Sequence, residues 1–195
     1  MSGLLIARPK TARSAIWYWQ FALVALAFAA LIGGTSRAFF AGRDQAATLA
    51  LMVRAVWLLV GLLTLFAFLT AAEQFLEPPW RGWARVVAAL QFAAFVPMAL
   101  LLDNFLVVIG NYVPVMLLFL FLNVRARARG TGTWAMSIGI AAGFAASAMS
   151  AAGVDTFTPL DRNGLYHVGM MVAVLFFYRG GLGLNGQTAP KSAHA

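Results

Sequence analysis

Six long apolar segments, separated by short polar connections, account for most of this chain of 195 residues. Each is close to the length of about 20 residues that an α-helix needs to cross the hydrocarbon core of a membrane. The segments cover residues 16–34, 46–72, 83–102, 104–124, 133–152 and 163–180. This pattern predicts an all-α fold, a polytopic transmembrane bundle of six helices, with seven helices as the alternative.

The third and fourth apolar segments are separated only by Asp103 and Asn104. Each of the two segments also contains a proline, Pro97 in the third and Pro114 in the fourth. Proline interrupts the hydrogen bonding of a helix, which makes the boundaries of these two spans harder to place. We interpret the region as a tight helical hairpin.

The composition supports a membrane protein. Hydrophobic residues make up 62 % of the chain and charged residues 10 %, whereas about a quarter of the residues of a soluble domain are charged. The predicted organisation is a basic N-terminal segment (1–15), a single bundle (16–183) and a polar C-terminal tail (184–195). The basic start is not expected to be a cleaved signal, because the apolar run after it is too long and lacks a small-x-small cleavage site.

The Lys and Arg residues predict the orientation of the bundle. If the N-terminus is cytoplasmic, ten of the fourteen lie on cytoplasmic segments, three on outer ones, and Arg54 within a span. The ten are Arg8, Lys10, Arg13, Arg81, Arg85, Arg125, Arg127, Arg129, Arg179 and Lys191, and the three are Arg37, Arg43 and Arg162. Cytoplasmic loops carry the excess of positive residues, so both termini are predicted to be cytoplasmic. The net charge of +8 then results from the positive residues of the cytoplasmic segments and does not indicate a nucleic-acid partner.

Small residues form a stripe along the fifth apolar segment. The stripe consists of Ala135, Gly139, Gly143, Ser147 and Ala151, at every fourth position. Small residues at this spacing let two membrane helices approach closely. We expect the stripe to contact another helix of the same bundle, with a dimer of two chains as the alternative.

Several polar residues are predicted to lie in the outer half of the membrane. At a rise of 1.5 Å per residue, Arg54 lies about 12 Å, Asn111 about 10 Å and His167 about 6 Å inside the outer ends of their spans. Ser36 and Arg37 end the first span on the same side. These residues are candidates for one outer polar cluster.

Arg54 needs a partner, because an unpaired guanidinium at that depth costs a few kcal/mol. Four of the six acids are predicted on the outer side, and three of them, Asp103, Asp155 and Asp161, are candidate partners. We expect a buried ion pair with one of them that holds helices in register. The alternatives are a guanidinium that extends to the membrane surface, or a substrate or ion site. The two remaining acids, Glu73 and Glu77, are predicted in an inner loop, where a solvated role is expected.

His167 lies on one helical face with Asn163, four residues earlier, and next to Tyr166. This face is a candidate wall of a site. A catalytic zinc needs three or more protein ligands, and the only other histidine is His194 in the polar tail. No metal and no cofactor is therefore predicted, and a site of His167 with one Asp is the alternative.

Three segments of the sequence resemble an uncharacterised family of bacterial multi-pass proteins. They are GGTSRAFF (33–40), FLVVIGNYVPVMLL (105–118) and LDRNGLYHVGMMVAVLFFYRGG (160–181), the last of which resembles a closing HNGLYH or HNDLYH motif. That family is similar to the CREST superfamily of alkaline ceramidases and adiponectin-type receptors. The resemblance implies seven-helix intramembrane hydrolases with a Ser and a His on an early helix, an Asp on the next and two His on the last.

By this resemblance, Ser36 matches the early Ser, His167 the His of the last helix, and Asp161 and Asn163 its polar start. Two positions depart from the pattern. Arg37 and Arg162 stand where histidines are expected, and these permanent cations repel a divalent metal. The resemblance therefore implies a derivative without the metal.

Two classes of function follow from the sequence. The first is a non-catalytic membrane protein, either an accessory or assembly subunit or a binder of lipids or small molecules; the second is a CREST-like intramembrane hydrolase of lipid amides or esters. The candidate polar cluster consists of Ser36, Arg37, Arg54, Asp103, Asn111, Asp161, Arg162, Asn163, Tyr166 and His167. The expected partners are membrane lipids, together with a membrane-protein partner or further copies of the chain. The resemblance implies the cytoplasmic membrane of a bacterium.

Overall fold

The computed structural model describes residues 9–36, 39, 45–128, 132–153 and 162–186. This part of the chain consists of helices and short connections, which confirms the predicted all-α fold. The helices are α1 (Pro9–Thr35), α2 (Ala46–Phe75), α3 (Pro78–Leu101), α4 (Leu106–Arg127), α5 (Trp134–Ala151) and α6 (Arg162–Gly186).

Five helices in the described part of the chain, α1 to α4 and α6, are long and apolar enough to cross a membrane. The protein is therefore a multi-pass membrane protein. Helix α5, predicted as the fifth span, has 18 residues. Its length of about 27 Å falls slightly short of a hydrocarbon core of about 30 Å.

The helices group into two compact units, Met1–Phe119 and Leu120–Ala195. In the first unit, α1 packs on α2 and α2 packs on α3. The first part of α4 belongs to the same unit through Phe119, whose ring lies edge-on to Trp19 of α1 and to Phe75 of α2, with centroids 5.7 and 6.0 Å apart. Edge-on pairs at these distances are a favoured geometry for aromatic rings.

Helices α2 and α3 form an antiparallel pair around a short turn. Helix α3 starts with two prolines, which are well tolerated there because the first amides of a helix need no intrahelical partner. The pair is close because of Gly61, where a Cβ atom would overlap the ring of Phe95. A buried apolar cluster at this contact contains Trp57, Phe95, Ala99 and Val108.

The second unit contains the end of α4 with α5 and α6. Asn123 in α4 connects that helix to the start of α5: its Nδ2 donates to Thr133 O (2.8 Å) and to Ser137 Oγ (2.7 Å), and its Oδ1 accepts from the amide of Thr133 (3.1 Å). The side chain of Asn123 is buried. It therefore orders the start of α5 relative to the last turns of α4.

Helices α5 and α6 pack closely, with a glycine on each side of the contact. A Cβ atom at Gly139 of α5 would lie 2.7 Å from Phe177 Cδ1, and one at Gly180 of α6 would lie 2.9 Å from the amide nitrogen of Met136. Both distances are too short for a larger residue. Glycine at these two positions thus permits the close approach of the backbones.

The predicted small-residue stripe follows this contact only in its central part. Gly139 and Gly143 are buried, but Ser147 is exposed and its hydroxyl donates to Gly143 O at 2.9 Å. A row of every fourth residue drifts by about 40° per step around a helix with 3.6 residues per turn. The buried face instead combines spacings of three and four residues, and it includes Met136, Gly139, Ile140, Gly143 and Ala146. The side chain of Ala151 lies outside the described part.

Candidate functional site

The guanidinium of Arg54 caps the C-terminal end of α3. Its Nη1 donates to Ala99 O at 3.0 Å and to Leu100 O. The last carbonyls of a helix have no partner within the helix, and the helix dipole makes this end negative. The last turn of α3 has no basic residue of its own. A cation from the neighbouring helix α2 therefore stabilises this end of α3.

Asp103 is the second partner of Arg54. Its Oδ1 lies 4.0 Å from Nη2, and its side chain is 94 % exposed. Arg54 thus has one of the acidic partners that were predicted, but the pair is not the buried one that was expected, because the carboxylate is exposed. An exposed pair contributes only about 0–1 kcal/mol, whereas a hydrogen bond from a charged group contributes about 1.5–3 kcal/mol. The carbonyls of α3, which were not predicted as partners, therefore hold Arg54 more strongly than Asp103 does.

A second arginine, near the start of α3, binds the C-terminal end of α2 in the same way. Arg81 Nε donates to the carbonyl of Leu76, the residue that follows α2, at 2.7 Å. Helix α2 also lacks a basic residue in its last turn. Arginine side chains from neighbouring helices thus satisfy the carbonyl ends of both α2 and α3.

A groove of about 600 Å³ lies between α3 and α4 and is open along one side. Its volume falls in the range of about 300–1,000 Å³ that is usual for small-molecule sites. Within the described part of the chain, its lining is apolar except for two amide side chains and contains no charged residue. The lining residues are Gln91, Ala94, Phe95, Met98, Leu106, Val107, Gly110, Asn111 and Pro114.

The two amide side chains connect the walls of the groove. Gln91 Nε2 donates to the backbone carbonyl of Asn111 at 3.1 Å and to Asn111 Oδ1 at 2.9 Å. The Nδ2 atom of Asn111 is buried and has no hydrogen-bond partner in the described part of the chain. A buried donor without a partner costs about 1–3 kcal/mol, and native structures contain few. This nitrogen is therefore a candidate for contact with a ligand.

The hydroxyl of Ser36, another predicted site residue, binds the end of the helix that precedes it, α1. Ser36 is buried, and its Oγ donates to Gly33 O at 2.8 Å. Arg37 lies outside the described residues. In the first unit, the structure thus pairs Arg54 with Asp103 and, separately, Asn111 with Gln91.

The second unit carries the remaining predicted site residues on α6 or just before it. His167 is exposed, and its ring lies edge-on to Tyr166 with centroids 5.3 Å apart. Asp161 and the side chains of Arg162 and Asn163 lie outside the described part. The predicted cluster of ten residues therefore stays a prediction as a whole.

The solvated role predicted for Glu73 is wrong. Helix α2 continues to Phe75, so Glu73 is a helical residue, and its side chain is 1 % exposed. Its Oε1 accepts from Arg85 Nε (2.9 Å) and Nη2 (2.5 Å), and its Oε2 accepts from Ser14 Oγ (3.3 Å). Arg85 itself is 53 % exposed. The sequence-based prediction failed because it ended the second span before this residue.

The described residues form no group of three or more His, Cys, Asp or Glu side chains that could hold a metal ion. Asp155, Asp161 and His194 are outside this part of the chain, so the metal-free site stays a prediction. Gln91 was not among the predicted site residues. Its polarity in the middle of an apolar span was the available signal.

The model of DUF6962, a family of unknown function, matches residues 1–185. The chain belongs to this family, in agreement with the predicted membership of an uncharacterised family. No curated protein and no solved structure matches the chain. The resemblance to the CREST superfamily and its closing motif stays a prediction.

Proposed function

We propose that this member of the DUF6962 family is a non-catalytic protein of the bacterial cytoplasmic membrane that binds a lipid in the groove between α3 and α4. The observation that supports this function is the buried Asn111 nitrogen without a partner in a groove that is otherwise apolar. Ligand sites commonly combine an apolar lining with a few polar groups that fix the orientation of the ligand. A lipid chain suits such a lining.

The roles of the other polar side chains in the first unit support a non-catalytic protein. Arg54 and Arg81 bind helix carbonyls, and Glu73 binds Arg85 across α2 and α3. The Ser36 hydroxyl donates to a carbonyl in the last turn of α1, where it stabilises the helix end. These side chains hold helices in place. Both termini on the cytoplasmic side are part of the proposal, supported by the asymmetry of Lys and Arg.

A pair of glycine variants tests the binding site. Gly110 lines the groove and a Cβ atom there would meet nothing within 4 Å, so Gly110→Phe fills the groove without a backbone clash. Gly82 on α3 is equally open but lies outside the groove lining, so Gly82→Phe is the matched control. The measurement is the binding of a pyrene-labelled fatty acyl lipid to the detergent-purified protein. We expect at least about tenfold weaker binding for Gly110→Phe, and unchanged binding for Gly82→Phe.

Binding of the labelled lipid by Gly110→Phe at the wild-type affinity would contradict the proposed groove. If Gly110→Phe unfolds, Ala94→Phe blocks the opposite wall and serves as the second variant. The same samples are assayed for hydrolysis of ester and amide lipids. Release of fatty acid by the wild type that is lost in His167→Ala would replace the proposal with the CREST-like hydrolase.

A further inference from the structure

Among the described residues that line the groove between α3 and α4, one buried side-chain donor has no hydrogen-bond partner. The amide nitrogen of Gln91 already donates to the backbone carbonyl and to the Oδ1 atom of Asn111. The remaining donor is Asn111 Nδ2, a neutral N–H group. A group bound to it must be a hydrogen-bond acceptor.

The charge of the groove decides which acceptor fits. None of the described residues that line the groove is charged. A phosphate or carboxylate placed there would lose its hydration without gaining a cation or a charge-assisted network. A neutral carbonyl oxygen accepts one hydrogen bond and carries little desolvation cost. The acceptor that matches the groove is therefore a carbonyl attached to an apolar chain.

The depth of Asn111 matches the ester carbonyls of a membrane lipid. Asn111 follows the start of α4 at Leu106 by five residues, which places it about 7.5 Å from that end of the helix. Helical side chains tilt toward the N-terminus, so the amide lies closer to this end than its Cα atom does. Of the polar groups of a membrane lipid, the ester carbonyls lie nearest the hydrocarbon core. They are therefore the lipid groups that come closest to an amide a few ångströms below the end of the helix.

We propose that Asn111 Nδ2 donates a hydrogen bond to the ester carbonyl of an acyl lipid whose chain lies along the apolar part of the groove. This inference rests on the proposed function and names the class of ligand for the same site. Asn111 selects ester-linked chains over ether-linked chains, because an ether oxygen is a much weaker acceptor than a carbonyl. Gln91 positions Asn111 and does not contact the ligand.

The test compares two lipids that differ only at this carbonyl, dipalmitoyl phosphatidylglycerol and its dihexadecyl ether analogue. Each is titrated against the full chain in detergent micelles, and the bound fraction is measured by native mass spectrometry. We expect the wild type to bind the ester lipid about three- to tenfold more tightly than the ether lipid, the range for one net hydrogen bond. We expect Asn111→Leu to bind both lipids equally, at the wild-type affinity for the ether lipid.

The outcomes separate the inference from the proposed function. If the wild type binds neither lipid, lipid binding in the groove is overturned; if it binds both equally, lipid binding stands and the carbonyl contact is overturned. An ester preference that persists in Asn111→Leu also overturns the contact. If Asn111→Leu does not fold, the double variant Gln91→Leu, Asn111→Leu replaces both partners of the hydrogen bond and is expected to be better tolerated. A dimer that binds no lipid and dissociates in Gly110→Phe would assign the groove to a second copy of the chain.

Discussion

The two members of the ion pair between Glu73 and Arg85 differ in exposure, because the carboxylate is buried and the guanidinium is not. Arg85→Met leaves a carboxylate that is 1 % exposed without its cation, and breaking a buried pair from this side costs about 3–5 kcal/mol. Glu73→Gln leaves an arginine that is 53 % exposed and can reach water or lipid headgroups. The Gln oxygen still accepts a hydrogen bond, so this change should cost only about 1 kcal/mol. We therefore expect Arg85→Met to be the more damaging substitution by a wide margin.

The assay is thermal unfolding of each variant in the same detergent, followed by circular dichroism. For a chain of this length, 1 kcal/mol corresponds to about 2–4 °C in Tm. Arg85→Met should lower Tm by about 6–20 °C, and Glu73→Gln by about 2–4 °C. The double variant should be more stable than Arg85→Met alone, because it no longer contains the buried charge. Arg81→Met removes a cation from the same helix, together with its hydrogen bond to Leu76 O, without leaving a buried acid. It therefore measures how much of the loss in Tm comes from one such hydrogen bond alone.

Two results would refute this reasoning. The first is a larger loss of Tm for Glu73→Gln than for Arg85→Met, since that would mean that the carboxylate is not the buried and dependent member of the pair. The second is a double variant whose loss of Tm equals the combined losses of the single variants. Independent effects of this kind would show that Glu73 and Arg85 do not interact in the folded protein.

Three further predictions address other parts of the molecule. Gly61→Leu should lower Tm by more than about 6 °C, because its Cβ overlaps the Phe95 ring, whereas Gly82→Leu should leave it nearly unchanged; equal effects would mean that α2 and α3 do not pack at Gly61. Arg54→Leu should lower Tm more than Asp103→Asn does, since the exposed acid contributes about 0–1 kcal/mol, and the reverse order would show that the ion pair dominates. Arg125→Cys should react with a membrane-impermeant thiol reagent only after the cells are opened, and labelling of intact cells would reverse the orientation.

The spans of this protein were predictable because a backbone in lipid must satisfy its own hydrogen bonds, which leaves a long apolar segment little choice but a helix. The ends of the helices were less predictable. Helix α3 starts at Pro78, before the predicted start of the third span, because a proline pair can begin a helix in a polar region. Helix α2 likewise continues beyond the predicted end of the second span, to Phe75, and so includes Glu73. Hydropathy alone reports where the lipid begins, and helices extend beyond that border.

The contacts of the candidate site were predictable only where the partners are close in sequence, or where the depth of a charged residue in the membrane requires it to have a partner. Arg54 was expected to have an acidic partner because a charge at that depth needs one, and Asp103 lies on the hairpin beside it. The pairing of Gln91 with Asn111 was not predictable, because it depends on how α3 and α4 are rotated about their axes. That rotation is set by side-chain packing, which a hydropathy pattern does not contain.

Pro97 and Pro114 lie inside α3 and α4, one in each wall of the groove region. Each lacks an amide proton, so the helix is already missing one hydrogen bond at that point and bends there at low cost. The hairpin tip between the two prolines is nevertheless held by contacts on both sides of it. Arg54 of α2 binds the carbonyls of Ala99 and Leu100, and Asn111 accepts a hydrogen bond from Gln91, which lies before Pro97 in α3. The position of the tip therefore depends on these side-chain contacts more than on the helical hydrogen bonds that the prolines remove.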